Sequence, residues 1–388
     1  MGWKGRTGSI ALLLAAAAWL WPGRSQAYPQ WQLSTGVARC DQCHVGPAGG
    51  GLLTDLGRRL SGQDLATFSG DGDLLYGAAR LPPWLALGAD ARGAYLTGDA
   101  RELSSGAAPV QFPLEAEAQA RLSLGDVALY ATLGLRGLVP GDDAATVPRQ
   151  NYQPLAMGFL VSREHWLLWQ RGRQGPYLRA GRYFAPYGLR LAESATYIRR
   201  DLGFNQLEES YNLSGGYLAS RWELHVTAFA PDVLRHLGAL DTGAAAYAER
   251  RTQAGAGAFA VQAKYAARPG VTRAIAGAVG KYYVAPLRTL FLAEADAVLL
   301  SVTGLPARRQ ALGLAGLAVL PLKGLMLTAL AEHYQEDLQV SGAARDAVSL
   351  LLGWFPYPHI GAQVTARGDF PTGNAATRVL SAELHYVL

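Results

Sequence analysis

From about residue 90 to residue 388 the chain alternates between apolar and polar side chains with a period of two. The clearest stretch runs from Leu114 to Leu124. Leu114, Ala116, Ala118, Ala120, Leu122 and Leu124 share one face, and Glu115, Glu117, Gln119, Arg121 and Ser123 share the other. Gly125-Asp126 predicts a turn into Val127, Leu129, Ala131, Leu133 and Leu135. At the end of the chain Leu380, Ala382, Leu384, Tyr386 and Leu388 again fall on one face. No stretch beyond the first residues reads as a membrane helix. Soluble sandwiches and membrane barrels both use this alternation. The length of the run, the absence of a second helical layer, the apolar aromatic-bearing last strand and the alternation of short and long connections favour a barrel. The prediction is an all-β fold: a transmembrane antiparallel β-barrel of about 16 strands over residues 81–388, behind a small N-terminal segment at 28–80.

Short turns are expected near Gly125-Asp126, Ser220-Arg221, Arg251-Thr252, Pro286, Pro321-Leu322-Lys323 and Tyr357-Pro358, with longer connections at 139–153, 185–209, 231–241 and 337–345. With both termini in the periplasm, the short turns fall on that side and the long ones outside. Apolar faces then meet lipid and polar faces line the lumen. Glu115, Glu117, Arg121, Glu294 and Asp296 point inward, as do Glu223 and His225 between the lipid-facing Trp222, Leu224 and Val226. Such acidic lumen groups would attract a cation. Scattered Trp and Tyr suit interfacial girdles. Residues 185–209 hold Glu193, Tyr197, Arg199, Arg200, Asp201, Glu208 and Glu209. They read first as a solvated external loop, since loops are mostly surface, and otherwise as a loop folded into the pore.

Leu52, Leu53, Leu56 and Leu60 recur at helical spacing with Arg58 and Arg59 opposite, which predicts a short amphipathic helix. Pro82-Pro83-Trp84 reads as the linker into the barrel. Residues 1–27 have the grammar of a secretory signal peptide: Lys4 and Arg6, an apolar run from Ile10 to Leu20, then Ser25-Gln26-Ala27. The formal charge of +5 includes Lys4, Arg6 and Arg24 of this leader, so losing these three leaves +2. No basic run interleaved with aromatics is present, and nucleic acid is not an expected partner.

The chain has two cysteines, Cys40 and Cys43, and His44 follows the second directly. Cys-Asp-Gln-Cys-His is the c-type haem attachment spacing. Two thiols add to the porphyrin vinyls, and the adjacent imidazole falls under the iron. A disulfide would need no histidine here. One covalent haem c is therefore expected, with Cys40, Cys43 and His44 as its site residues. Zinc spacings, phosphate loops and general acid–base pairs are not evident, so no classical enzyme is indicated.

An exported leader, then Thr35-Gly36-Val37-Ala38-Arg39-Cys40-Asp41-Gln42-Cys43-His44, Leu56-Gly57 downstream and a barrel beyond, resembles the fused monohaem cytochrome–porins of bacterial outer membranes. The resemblance implies electron transfer across the outer membrane, extracellular Fe(II) as a donor, and a periplasmic cytochrome or other carrier as the acceptor. A porin with a structural haem and an outward conduit are the alternatives. For the second axial position the residues leave three possibilities. The iron has no second protein ligand; His225 reaches it from the lumen; or the α-amine of Tyr28 binds, as in the Tyr-Pro start that resembles cytochrome f. His165, His236, His333, His359 and His385 read as surface, girdle or strand-end residues.

Overall fold

The structure, a computed structural model, describes residues 29–37, 39–98, 110–136, 160–193, 195–203, 208–232, 241–252 and 255–388. The leader, Tyr28, His236 and the loop at 139–153 lie outside the described residues.

Seventeen antiparallel segments form one closed sheet. They are β1 (Leu85–Gly98), β2 (Val110–Leu124), β3 (Val127–Arg136), β4 (Leu160–Val161), β5 (His165–Gln170), β6 (Gly175–Tyr183), β7 (Ser210–Leu218), β8 (Trp222–Ala230) and β9 (Thr242–Arg251). Then follow β10 (Gly257–Arg268), β11 (Val271–Val284), β12 (Thr289–Val302), β13 (Arg308–Val319), β14 (Leu325–Gln335), β15 (Ala344–Trp354), β16 (Ile360–Pro371) and β17 (Thr377–Val387). β4 and β5 both pair with β3 and share one wall position, so the seventeen segments make a sixteen-stranded barrel. β1 closes it by pairing with β2 on one side and β17 on the other, Asp90 opposite Val387 through Gly98 opposite Val379. Closure leaves no edge whose backbone groups would go unbonded in lipid.

The faces follow the alternation. Leu124 is 70% exposed and Val226 63%, whereas Glu223 and His225 are each 2% exposed. Apolar side chains outside and charged ones inside invert the soluble pattern and suit a bilayer. The short turns lie at the end that carries Leu85 and Val387. The one expected at Arg251-Thr252 starts a residue later, because Arg251 still belongs to β9. Pro269-Gly270 joins β10 to β11 in two residues at the opposite end, where a longer loop would have been usual.

Among the described residues, two inserts pack into the lumen. The first is the N-terminal segment, with α1 (Pro29–Ser34), α2 (Cys40–Cys43) and α3 (Asp55–Leu60), the last extended by a π turn at Ser61–Leu65. Thr54 caps α3 by accepting from Gly57 N, so the helix starts after Leu52 and Leu53 rather than including them. Leu53 instead bridges His44. Thr67 and Phe68 donate to the carbonyls of Phe355 and Pro356, which ties the segment to the β15–β16 turn.

The second insert corrects the expectation of a solvated loop. After β6 the chain turns inward. Tyr187, Leu189, Leu191, Tyr197, Ile198 and Leu202 are buried against inward-facing side chains such as Leu292, Leu314 and Leu330. The far wall holds it: Leu189 N donates to Glu294 (2.7 Å), Tyr187 Oη to Asp296 (2.9 Å), Tyr197 N to Glu332 (2.5 Å), and Lys264 Nζ to Leu202 O (3.0 Å). α4 (Tyr197–Arg200) is one helical turn within this loop.

Candidate functional site

Cys40 opens α2 and Cys43 closes it, so one helical turn turns both thiols to the same side. They form no disulfide. Arg39 fixes this turn to the barrel. Its guanidinium pairs with Asp41 (2.7 Å) and donates to Ala219 O and Arg173 O, in the turns that follow β7 and β5. Gly57 fixes it from the other side. A Cβ there would stand 2.3 Å from the Cys43 carbonyl oxygen, so only glycine lets α3 pack this close.

Cys40, Cys43 and His44 line one cavity at the end of the lumen that carries Leu85 and Val387. Trp31, Leu53, Leu60, Leu65, Leu189, Phe355, Ile360 and Val387 give it an apolar wall. Arg190 and Lys281 stand at its charged side with Glu223 and Glu249. His44 Nδ1 lies 3.4 Å from Gly51 O, an orientation that favours the proton on Nδ1 and makes Nε2 the basic nitrogen. Burial lowers the His44 imidazole to about 4, so it is neutral as a ligand must be, and pushes the Cys43 thiol up to about 11.

The residues suit a planar, largely apolar group with an anionic edge. The donor set is two thiols and an imidazole on one wall. Arg190 offers a further sign, since its Nε is hidden from solvent without a hydrogen-bond partner among the described residues. Arg190 also holds a left-handed backbone, φ 52°, which costs a residue with a side chain about 1–2 kcal/mol. Bare metal is another matter: among the described residues no three His, Cys, Asp or Glu side chains gather as a metal site.

His225 faces the lumen as its parity requires. Its Nδ1 meets Tyr177 Oη at 2.5 Å and its Nε2 meets Glu223 at 2.7 Å, and it does not line the cavity. Both nitrogens are engaged in a buried network, which takes His225 away from a ligand role. The cavity is lined instead by His359 and His385, both buried, which sequence reasoning set aside as strand-end residues. The signal was present for His385. With Leu384 and Tyr386 outward, it had to point inward at the end that carries Val387.

The inward carboxylates are also less available than their sequence suggested. Glu117 and Glu209 pair with Arg163, Glu223 with Arg251, Glu249 with Lys281 and Glu332 with Arg367. A second chamber lies beyond the first, lined by Arg163, Arg179 and Arg199 among others. Gly188, Leu189 and Arg190 border both chambers.

No family model matches the chain, and no curated protein does. Solved structures match its fold. A loop-deletion form of OmpT, an outer membrane protein of Vibrio cholerae, is 13% identical with a TM-score of 0.57, over 78% of this chain and 99% of its own. OprB of Pseudomonas putida is 10% identical with a TM-score of 0.54, over 78% and 94%. The outer membrane channel DcaP of Acinetobacter baumannii is 11% identical with a TM-score of 0.52, over 78% and 97%. At these identities the likeness is one of fold, an outer-membrane-type barrel.

Proposed function

We propose that the protein carries one haem c in the first cavity and transfers electrons across the outer membrane. The observation that carries this reading is the convergence of Cys40, Cys43 and His44 on a single apolar cavity in the lumen. The haem supplies one-electron chemistry at an iron whose potential is set by ligation and burial. The chain's own residues do the rest. Cys40 and Cys43 anchor the group through their thiols. His44 presents Nε2 to it while Gly51 O orients the ring. Trp31, Leu53, Leu60 and Phe355 exclude water. Arg190 and Lys281 offer cations to carboxylates at its edge. One electron leaves an external donor such as Fe(II), which becomes Fe(III), and ends on a periplasmic carrier.

The decisive experiment uses the full-length protein, exported in cells that mature c-type cytochromes and extracted in detergent. A covalent haem signal on a denaturing gel, lost in Cys40→Ser with Cys43→Ser, and reduction of that haem by Fe(II) are expected. A folded barrel without covalent haem refutes the reading.

A second reading, a solute channel with a structural haem, draws on the likeness in fold to outer-membrane channels. Steady open conductance in planar bilayers would support it. The inward loop and the N-terminal segment, both packed in the lumen, favour the conduit.

A further inference from the structure

We infer that His385 is the second axial ligand of the haem iron, a proposal that rests on the haem reading above. Besides His44, the cavity is lined by two histidines, His359 and His385, and by no methionine among the described residues. The other described histidines are elsewhere. His165 meets Tyr211, and His333 is exposed and pairs with Asp346. His225 is held by Tyr177 and Glu223.

His359 already has structural work. Its Nε2 lies 3.2 Å from Asp73 O, it also bonds the backbone of Val387, and its ring packs edge-on to Tyr76 at 4.8 Å. Its backbone is left-handed, φ 69°. It pins the N-terminal segment to the rim.

His385 stands one strand further in. It is buried on β17, where Leu384 is 49% exposed on the outer face, so strand parity turns the imidazole into the lumen. Its ladder partner on β16 is Gly361, which also lines the cavity and adds no side chain beside it. Its partner on β1 is Arg92, which pairs with Glu115 and Glu383. The first of the two thiols, Cys40, lies towards another part of the wall. Cys40 is beside Arg190, which reaches Glu223 of β8. In the hydrogen-bonded order of strands, β8 and β17 are half the barrel apart. The attachment turn and His385 thus line one and the same cavity. An imidazole on a rigid strand is a good iron ligand, and a strand fixes it better than a loop does.

The test reads the ferric iron's spin state in the detergent-extracted holoprotein. Wild type is expected to be low-spin with the EPR pattern of two imidazoles. His385→Ala should turn a predominantly low-spin haem predominantly high-spin at unchanged covalent haem content, and added imidazole should restore it. His385→Met should stay low-spin with a changed ligand signature, and His359→Ala should keep the wild-type signature. A two-imidazole signal that survives in His385→Ala overturns the proposal, and so does a high-spin wild type. Should the alanine variant not reach the heat-modifiable barrel form, the methionine variant decides: an unchanged two-imidazole signature there overturns the proposal equally. Loss of covalent haem from wild type would instead refute the parent reading, so the two failures are distinct.

Discussion

Tyr197 is the pin of the inward loop, and its removal has a calculable effect. The side chain is 1% exposed. Its backbone N–H donates to Glu332, and its hydroxyl donates to Asp369 Oδ1 at 2.9 Å and lies 3.2 Å from Asp346 O. The guanidinium groups of Arg200, Arg345 and Arg367 surround the ring at 5.1, 5.4 and 5.2 Å. Tyr197→Phe keeps the ring and deletes the hydroxyl. A hydrogen bond to a charged group contributes about 1.5–3 kcal/mol, and the low end applies because Asp369 keeps Arg367 at 2.9 Å. About 1.4 kcal/mol is tenfold in an equilibrium, so the loop should open about ten times more often. Tyr197→Ala also removes a buried ring, which costs about 3–5 kcal/mol, or more than ~100-fold. Hydrogen exchange followed by mass spectrometry reads this directly, because amides of the loop exchange in proportion to its opening. Loop peptides should speed up about tenfold in the phenylalanine variant and beyond ~100-fold in the alanine variant, with β12 to β15 unchanged. Loop exchange within about twofold of wild type in both variants would show that Tyr197 does not hold the loop.

Three further outcomes are expected. Gly57→Ala forces a Cβ to within 2.3 Å of the Cys43 carbonyl and should lower covalent haem per folded barrel several-fold, measured by haem stain against protein. His225→Ala should leave the haem spectrum unchanged but lower the temperature of barrel unfolding on heated gels, because Tyr177 and Glu223 lose a buried partner. Burial holds the Glu193 carboxyl above its ordinary value, so the packed loop keeps a proton that the released loop gives up. The loop is then firmest at acid pH and loosens as pH rises from the ordinary carboxylate value through the raised one. Glu193→Gln should flatten that dependence in limited proteolysis.

The barrel was legible because lipid and lumen impose opposite demands on successive residues, and Leu114 to Leu124 write that demand out directly. That Cys40, Cys43 and His44 stand together was legible because they lie within five residues, and the fold keeps both cysteines in one turn of helix. The inward loop was not. Its anchors are Glu294, Asp296 and Glu332, more than a hundred residues from Tyr187, Leu189 and Tyr197 in sequence. Local composition there gives charges of both signs, which solvent and a polar lumen satisfy equally well. Leu52 and Leu53 misled for a related reason. Their spacing fits a helix, but the Thr54 cap begins α3 after them. Parity was applied to His225 and not to His385, though it turns both into the lumen. Only the packing of the N-terminal segment separates a histidine bound into a network from one that lines the cavity of the thiols.

The wall between the two chambers bears on what crosses the barrel. Gly188, Leu189 and Arg190 border both, so the partition there is a single strand of chain. Gly188 N donates to Gln262 at 2.7 Å and Leu189 N to Glu294 at 2.7 Å. Arg190 donates to Ala48 O and lies 3.6 Å from Glu223. A solute must displace this partition. Breaking the bonds at Gly188 and Leu189 alone costs about 3–4 kcal/mol, which leaves the partition open on the order of once in several hundred molecules. An electron needs no displacement. It needs a carrier on one side, a donor within reach on the other, and a partition that stays thin and dry. The contacts of Arg190 to Ala48 and Glu223 hold its strained left-handed backbone, and with it the shape of the partition. A barrel built to pass solutes gains nothing from such a partition, whereas one built to pass electrons loses nothing to it.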